Sequence, residues 1–226
     1  VIRELCDVPY HYDKVLTLDK FLTDEDIPGI SGVDTRLLTL KVREMGTMKA
    51  SIIVGDDLDQ EKGLRIARSQ PDISEQDLIS EVTCKEPFMI NAKGPMIVVI
   101  DTGVKTNILN CLKKYGFNTV VVPYTCKPDD LMEYKPDGIL LSNGPGDPKN
   151  VLQVQDTIRE LYGSIPLFGI CLGHQIASLA LGGDTYKLKF GHRGANQPVK
   201  HYETKRVFIT SQNHGFAVDP QSLEGK

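Results

Sequence analysis

The chain has 226 residues, 40% hydrophobic and 25% charged, with a formal net charge of -4. This is an ordinary globular balance: it leaves no electrostatic footprint for nucleic acid, and no apolar run approaches the roughly 18 residues of a membrane span. Five scattered cysteines (Cys6, Cys84, Cys111, Cys126 and Cys171) form no C-x-x-C pair, which argues against a disulfide framework and a zinc site and makes a reducing cytoplasm the expected compartment.

The start, VIRELCDVPYHYDK, is charged within four residues and lacks the apolar core of a secretory signal. No initiator Met is present and the other end stops at DPQSLEGK, so a fragment of a longer protein is expected. Residues 30–54 read as strand, helix, strand. ISGVD leads to a helix cap at Asp34 or Thr35, RLLTLKVREM places Leu38, Val42 and Met45 on one stripe, and Gly46 stops the helix. KASIIVG (49–55) reads as a buried strand and DLDQEKGLRIARS (57–69) as a second helix. The stretch 81–95, EVTCKEPFMINAKGP, is rich in turn residues. A domain boundary is expected there, between a smaller α/β domain over 1–90 and a larger one over 95–226.

From residue 96 the rhythm changes. MIVVID reads as a buried strand, KTNILNCLKKYG as a helix, NTVVVP as a strand, KPDDLMEYK as a short helix and DGILLS as a strand. NVLQVQDTIRELYG then reads as a helix, IPLFGI as a strand and CLGHQIASLALGG as a helix. Strand and helix alternating at this spacing imply βαβ units, hence a mostly parallel, doubly wound sheet covered on both faces. After Gly183 the pattern turns to shorter strand-like pieces, TYKLKF, QPVKHY and RVFITS. Two loops fall at the carboxyl ends of neighbouring parallel strands, SNGPGDP (142–148) and the turn at Cys171. In open α/β sheets that edge binds ligands.

GICLG, with glycine on both sides of Cys171, has the shape of a nucleophile elbow. The glycines leave room for a sharp strand-to-helix turn and for close approach by a substrate. The helix that follows offers free N–H groups and partial positive charge, which lowers a thiol pKa from about 8.5. The N–H of Leu172 supplies half of an oxyanion hole, worth about 100- to 1000-fold in rate. The other half is expected from SNGPGDP, where Gly144 and Gly146 expose backbone N–H groups; Pro145 and the lack of a following Lys-Ser/Thr argue against a phosphate loop. A cysteine nucleophile calls for a histidine base, yet none of His11, His174, His192, His201 and His214 qualifies by position. His174 is expected to pack on the helix flank, His192 to lie in a loop and His214 at a polar pocket edge. The bland alternative is a buried, inert thiol.

FGICLGHQ with the upstream LLSNGPGDP resembles the class I glutamine amidotransferases. ISGVDTRLLTLKVREMG, KFGHRGANQPVK and ITSQNHGFAVD narrow the resemblance to the carbamoyl-phosphate synthetase small-subunit family, over essentially the whole chain. The resemblance implies that Cys171 forms a γ-glutamyl thioester with glutamine, that Leu172 and Gly144 are the oxyanion donors, and that Gly146, Gln175, Asn213, Gly215 and Phe216 hold glutamine. It implies ammonia delivery to a large synthetase subunit, which would carry ATP and Mg, for pyrimidine and arginine biosynthesis. It implies no metal or cofactor in this chain. The family's catalytic histidine lies in a late His-Pro-Glu segment, which this sequence does not contain. The alternatives are a non-hydrolytic scaffold or regulatory subunit, and an amidotransferase of another pathway.

Overall fold

The computed structural model describes residues 1–55 and 58–225. They divide into two compact units, Val1–Gln70 and Pro71–Lys226.

The smaller unit carries helices α1 (Leu18–Asp24), α2 (Thr35–Met45) and α3 (Gln60–Ser69), each started by a side-chain cap. Asp34 accepts from the Leu37 N–H at 2.9 Å as the starting cap, and Gly46 ends α2 with φ 89°, so both expected ends of that helix hold. The helix expected over 57–69 begins at Gln60 because Asp59 is its cap; Asp57 lies outside the described residues. Helix α1, with Thr17 as cap, was not anticipated. The stripe Leu38–Val42–Met45 is not buried, and no strand forms at 30–34 or 49–55 among the described residues. A strand needs a ladder partner, and 49–55 spends its contacts on α3 instead. Ser51 donates to the Gly63 carbonyl at 2.9 Å, and the end of the Ile53 side chain presses against Gly63.

The larger unit opens with α4 (Ile79–Val82) and β1 (Phe88–Ile90), then alternates β2 (Met96–Asp101), α5 (Thr106–Lys114), β3 (Asn118–Pro123), α6 (Pro128–Glu133), β4 (Gly138–Leu141), α7 (Leu152–Leu161), β5 (Leu167–Gly169) and α8 (Leu172–Ala180). The sheet order is β1-β3-β2-β4-β5, parallel throughout except for β1, which pairs antiparallel with β3 at one edge. The stretch 81–95 therefore belongs inside this unit rather than between the two. Its Thr83 hydroxyl donates to the Asp101 carbonyl at 2.7 Å, and β1 extends the sheet.

Successive residues of the central strands face opposite cores. Val98, Ile100, Val120, Val122, Ile139 and Leu141 cluster with Val154 and Ile158 of α7 and with Leu172 and Ile176 of α8. Val99, Val121 and Leu140 cluster with Leu109 of α5 on the other side. Burial on both faces is why these strands read as unbroken apolar runs. The three short pieces expected after Gly183 are instead two long strands, β6 (Asp184–Lys200) and β7 (Val207–Asp219), paired as an antiparallel ribbon of their own. Register shifts between Lys187 and His192 and between Gly194 and Gln197 absorb the glycine-rich stretch that made the sequence read as broken. Among the described residues, no helix is long and apolar enough to cross a membrane.

Candidate active site

Between the end of β5 and the start of α8, Cys171 sits at φ 54°, ψ -106°. A non-glycine residue held there costs about 1–3 kcal/mol, a strain that persists only where the surroundings enforce it. Those surroundings are visible. Ile170 N–H donates to the Leu141 carbonyl at 3.0 Å and Gly173 N–H to the Ser142 carbonyl at 3.0 Å, so the end of β4 holds both sides of the turn. A Cβ on Gly173 would stand 2.3 Å from the Leu141 oxygen, and one on Gly169 2.5 Å from the His174 nitrogen. The flanking glycines do permit the sharp turn, but the space they leave is filled by the protein's own backbone rather than kept for a substrate.

The SNGPGDP loop lies against the same turn. A Cβ on Gly144 would stand 1.9 Å from the Thr102 carbonyl oxygen and 2.8 Å from Leu172 Cδ2. Gly144 and Leu172, the two residues expected to supply oxyanion donors, are thus immediate neighbours. Gly146 adopts φ 91°, which glycine alone takes without strain, and a Cβ there would meet nothing closer than Leu78 Cβ at 4.0 Å. Asn143 fastens the loop to the chain after β2, donating to the Gly103 carbonyl at 3.0 Å and accepting from Lys105 N–H at 3.2 Å.

The Cys171 thiol is half-buried, and burial pushes its pKa up from the ordinary value. The Leu172 N–H and, after it, the Lys105 ammonium act in the opposite direction without overcoming it. The expected lowering by the helix start is present but outweighed, because desolvating an anion costs more than one backbone dipole returns.

Cys171 opens into a cavity of about 840 Å³. Gln175 and Phe216 line it, and so do His174, His192, Gln212 and His214. Gln175 is 5% exposed and donates through Nε2 to the Phe216 carbonyl at 2.7 Å. That carbonyl also lies 2.7 Å from His214 Nδ1, which must therefore carry the hydrogen. His214 Nε2 is 2.9 Å from Gln212 Oε1 and 3.3 Å from His192 Nδ1, with the two imidazoles edge to face. His192, read as a loop residue, is directly opposite His214 in the β6–β7 register. Nothing in the sequence spacing marks that pairing, because the register depends on the irregularities on either side of it, between Lys187 and His192 and between Gly194 and Gln197. His174 lines the cavity instead of packing on the helix flank.

Not every expected glutamine contact is gathered here. Along β7, Gln212, His214, Phe216, Ala217 and Val218 line the cavity, and Asn213 and Gly215 do not. Asn213 is exposed and bonded to Arg193, its ladder partner. Among the described residues no group of three or more His, Cys, Asp or Glu side chains is placed to hold a metal ion. The smaller unit has a cavity of about 400 Å³, walled by residues such as Leu5, Leu18, Leu22 and Ile27, with no cysteine or histidine in its lining.

Residues 98–226 match the family model described as glutamine amidotransferase class-I, and residues 1–52 that of the carbamoyl-phosphate synthase small chain, CPSase domain. The carbamoyl phosphate synthase small chain of Methanosarcina mazei is 50% identical over 234 residues, covering 100% of this chain and 63% of its own length. That of Methanopyrus kandleri is 53% identical over 226 residues, covering 99% of this chain and 63% of its own. That of Archaeoglobus fulgidus is 51% identical, covering 99% of this chain and 62% of its own. The chain thus spans somewhat under two thirds of the length of these relatives.

Proposed function

The chain belongs to the class-I glutamine amidotransferases, and from that premise we propose that it is the glutamine-hydrolysing part of a carbamoyl phosphate synthase small chain. In this reading the Cys171 thiolate attacks the side-chain amide carbon of glutamine. The carbonyl oxygen takes the negative charge, and the N–H groups of Leu172 and Gly144 stabilise it. The C–N bond then breaks, the departing nitrogen takes a proton and leaves as ammonia, and water cleaves the γ-glutamyl thioester to release glutamate. The ammonia passes to a large synthetase chain, where ATP and Mg drive carbamoyl phosphate formation for pyrimidine and arginine biosynthesis. Gln175 and Phe216, which share the cavity with Cys171, hold glutamine, with Gly146, Asn213 and Gly215 assigned to the same task by resemblance. The thiol's proton acceptor is assigned to the family's His-Pro-Glu segment and to no histidine of this sequence.

The observation that carries the reading is the elbow itself. A thiol is held at positive φ between a parallel strand and a helix, with the Leu172 N–H against its sulfur and Gly144 packed beside Leu172. An inert core cysteine needs neither the strain nor the opening onto a cavity. The test is Cys171→Ser in the complete small chain assembled with its large chain. Glutamine-dependent carbamoyl phosphate synthesis should fall by at least about 1000-fold, while synthesis from added ammonium continues. Survival of the glutamine-dependent activity would give the lead to a non-hydrolytic scaffold, and loss of both activities would overturn a simple glutaminase role.

A further inference from the structure

Behind the oxyanion side of the elbow lies a pair of hydroxyls that the proposed chemistry has not used. Thr102, just past β2, and Ser142, just past β4, are both 0% exposed. Ser142 Oγ accepts from the Thr102 N–H at 2.9 Å and donates to the Asn143 carbonyl at 2.9 Å. The Thr102 hydroxyl stands 3.1 Å from the Ser142 carbonyl, its acceptor, and 3.2 Å from the Asn143 carbonyl. The same Ser142 carbonyl receives Gly173 N–H from the elbow helix. Three chain segments therefore meet at two side chains: the turn after β2, the SNGPGDP loop and the first turn of α8.

The pair adds to the hold that the Asn143 side chain has on the chain after β2, at a point where the next three residues offer no side-chain donor. Pro145 has no N–H to contribute, and Gly144 and Gly146 have no side chains. The side of Gly144 where a Cβ would stand is closed by the Thr102 carbonyl and the Leu172 side chain. The Thr102 hydroxyl bonds the carbonyls of Ser142 and Asn143, the two residues before Gly144, and so ties the loop to the end of β2 beside the helix that carries the other oxyanion donor. A valine in place of Thr102 would keep the shape and lose the donor, leaving the Ser142 carbonyl with the Gly173 N–H alone and the Asn143 carbonyl with the Ser142 hydroxyl alone.

We propose that Thr102, through its hydroxyl pair with Ser142, is a positioning residue that fixes Gly144 against the start of α8 for the tetrahedral intermediate of glutamine hydrolysis. This rests on the glutaminase reading above. Its effect falls on the transition state more than on glutamine binding, since the pair touches neither Gln175 nor Phe216. A donor misplaced by a fraction of an ångström loses part of the roughly 100- to 1000-fold that an oxyanion contact supplies.

The test compares Thr102→Val, Thr102→Ser and Ser142→Ala with the parent in the complete small chain assembled with its large chain, measuring glutamine hydrolysis and backbone amide exchange at 143–147. Thr102→Val and Ser142→Ala should each lower kcat about 10-fold or more with KM within about twofold, and should speed exchange at Asn143, Gly144 and Gly146. Thr102→Ser, which keeps the hydroxyl, should restore both. Unchanged exchange and kcat in the two variants would overturn the positioning role, and so would a kcat loss shared by Thr102→Ser, which would point to the methyl group's packing. A parent that does not hydrolyse glutamine would overturn the glutaminase reading alone, since the exchange measurement still decides whether the pair holds the loop. Should Thr102→Val fail to fold, Ser142→Ala removes one member of the same pair and decides the question.

Discussion

The two compact units use similar sequence patterns to different ends. In the smaller one, capped amphipathic helices form as the sequence directs, yet α1 and α2 bury no residue and α3 buries only Gly63 and Ala67. In the larger one, short apolar runs become strands whose residues are almost wholly inaccessible, from Val98 and Val99 to Leu141. A helix satisfies its own backbone hydrogen bonds and can stand with its apolar stripe uncovered, whereas a strand exists only when a neighbour completes its ladder. The difference teaches that the caps of the first seventy residues report local structure, while the apolar runs after residue 96 report the core.

Glycine substitutions should break this contrast most sharply. Gly173→Ala puts a Cβ 2.3 Å from the Leu141 carbonyl oxygen, inside backbone that cannot yield. It should destabilise the larger unit by more than about 4 kcal/mol, read as a drop in its melting transition. Gly63→Ala in α3 meets the flexible end of Ile53 at 2.7 Å and otherwise makes only ordinary contacts, with Ser51 Oγ at 3.4 Å. It should be neutral to stabilising by up to about 1 kcal/mol, because alanine is the better helix former.

Truncation of apolar side chains should follow next. Leu141→Ala removes a fully buried side chain from the core beneath the elbow and should cost about 2–5 kcal/mol in denaturant unfolding. Met45→Ala, at a position 71% exposed in α2, should change stability by no more than about 0.5 kcal/mol. Equal costs at the two positions would mean that α2 is covered as fully as β4.

Thiol chemistry gives the finest comparison. Burial, then the charge of Asp101 and its hydrogen bond, push the Cys84 thiol up to about 11. Cys84 should therefore stay protonated and be alkylated by iodoacetamide far more slowly at pH 9 than exposed Cys6. Because the folded-state pKa is raised, the accompanying stability is present below the pKa of an unfolded thiol and is lost as pH rises towards 11. Cys171 should titrate above an ordinary thiol for the same first reason, its burial, and Lys105→Met should move its alkylation midpoint higher still by removing a favourable charge. A downward or unchanged midpoint in Lys105→Met would show that the ammonium does not act on the thiol.

Much of the candidate site was legible because its signals are local. The GICLG spacing announces a residue forced through a strand-to-helix turn, and Cys171 is found there at positive φ. The alternation from Met96 to Ala180 reappears element by element, since each strand carries its own apolar run and each helix its own stop. Other expectations failed where the outcome depended on partners far along the chain. KASIIVG has the composition of a strand but finds α3 rather than a ladder. The Asn213 side chain bonds to Arg193, its ladder partner, a pairing that only the β6–β7 register sets, while its assignment to glutamine rests on the resemblance. The thiol was expected to be acidic from its helix start alone, and the burial that reverses this comes from surroundings outside the motif.

The sequence by itself therefore determined the order of strands and helices from Met96 to Ala180, the ends of α2 and the elbow at Cys171. These depend on φ preferences, side-chain caps and apolar runs, all of which act within a few residues. The tertiary structure alone decided that β1 runs antiparallel at the sheet edge, that His192 stands opposite His214, that Thr102 and Ser142 tie three chain segments together, and that burial raises the Cys171 thiol. Each of these is a matter of register or desolvation, fixed by which segments pack together rather than by what any one segment contains.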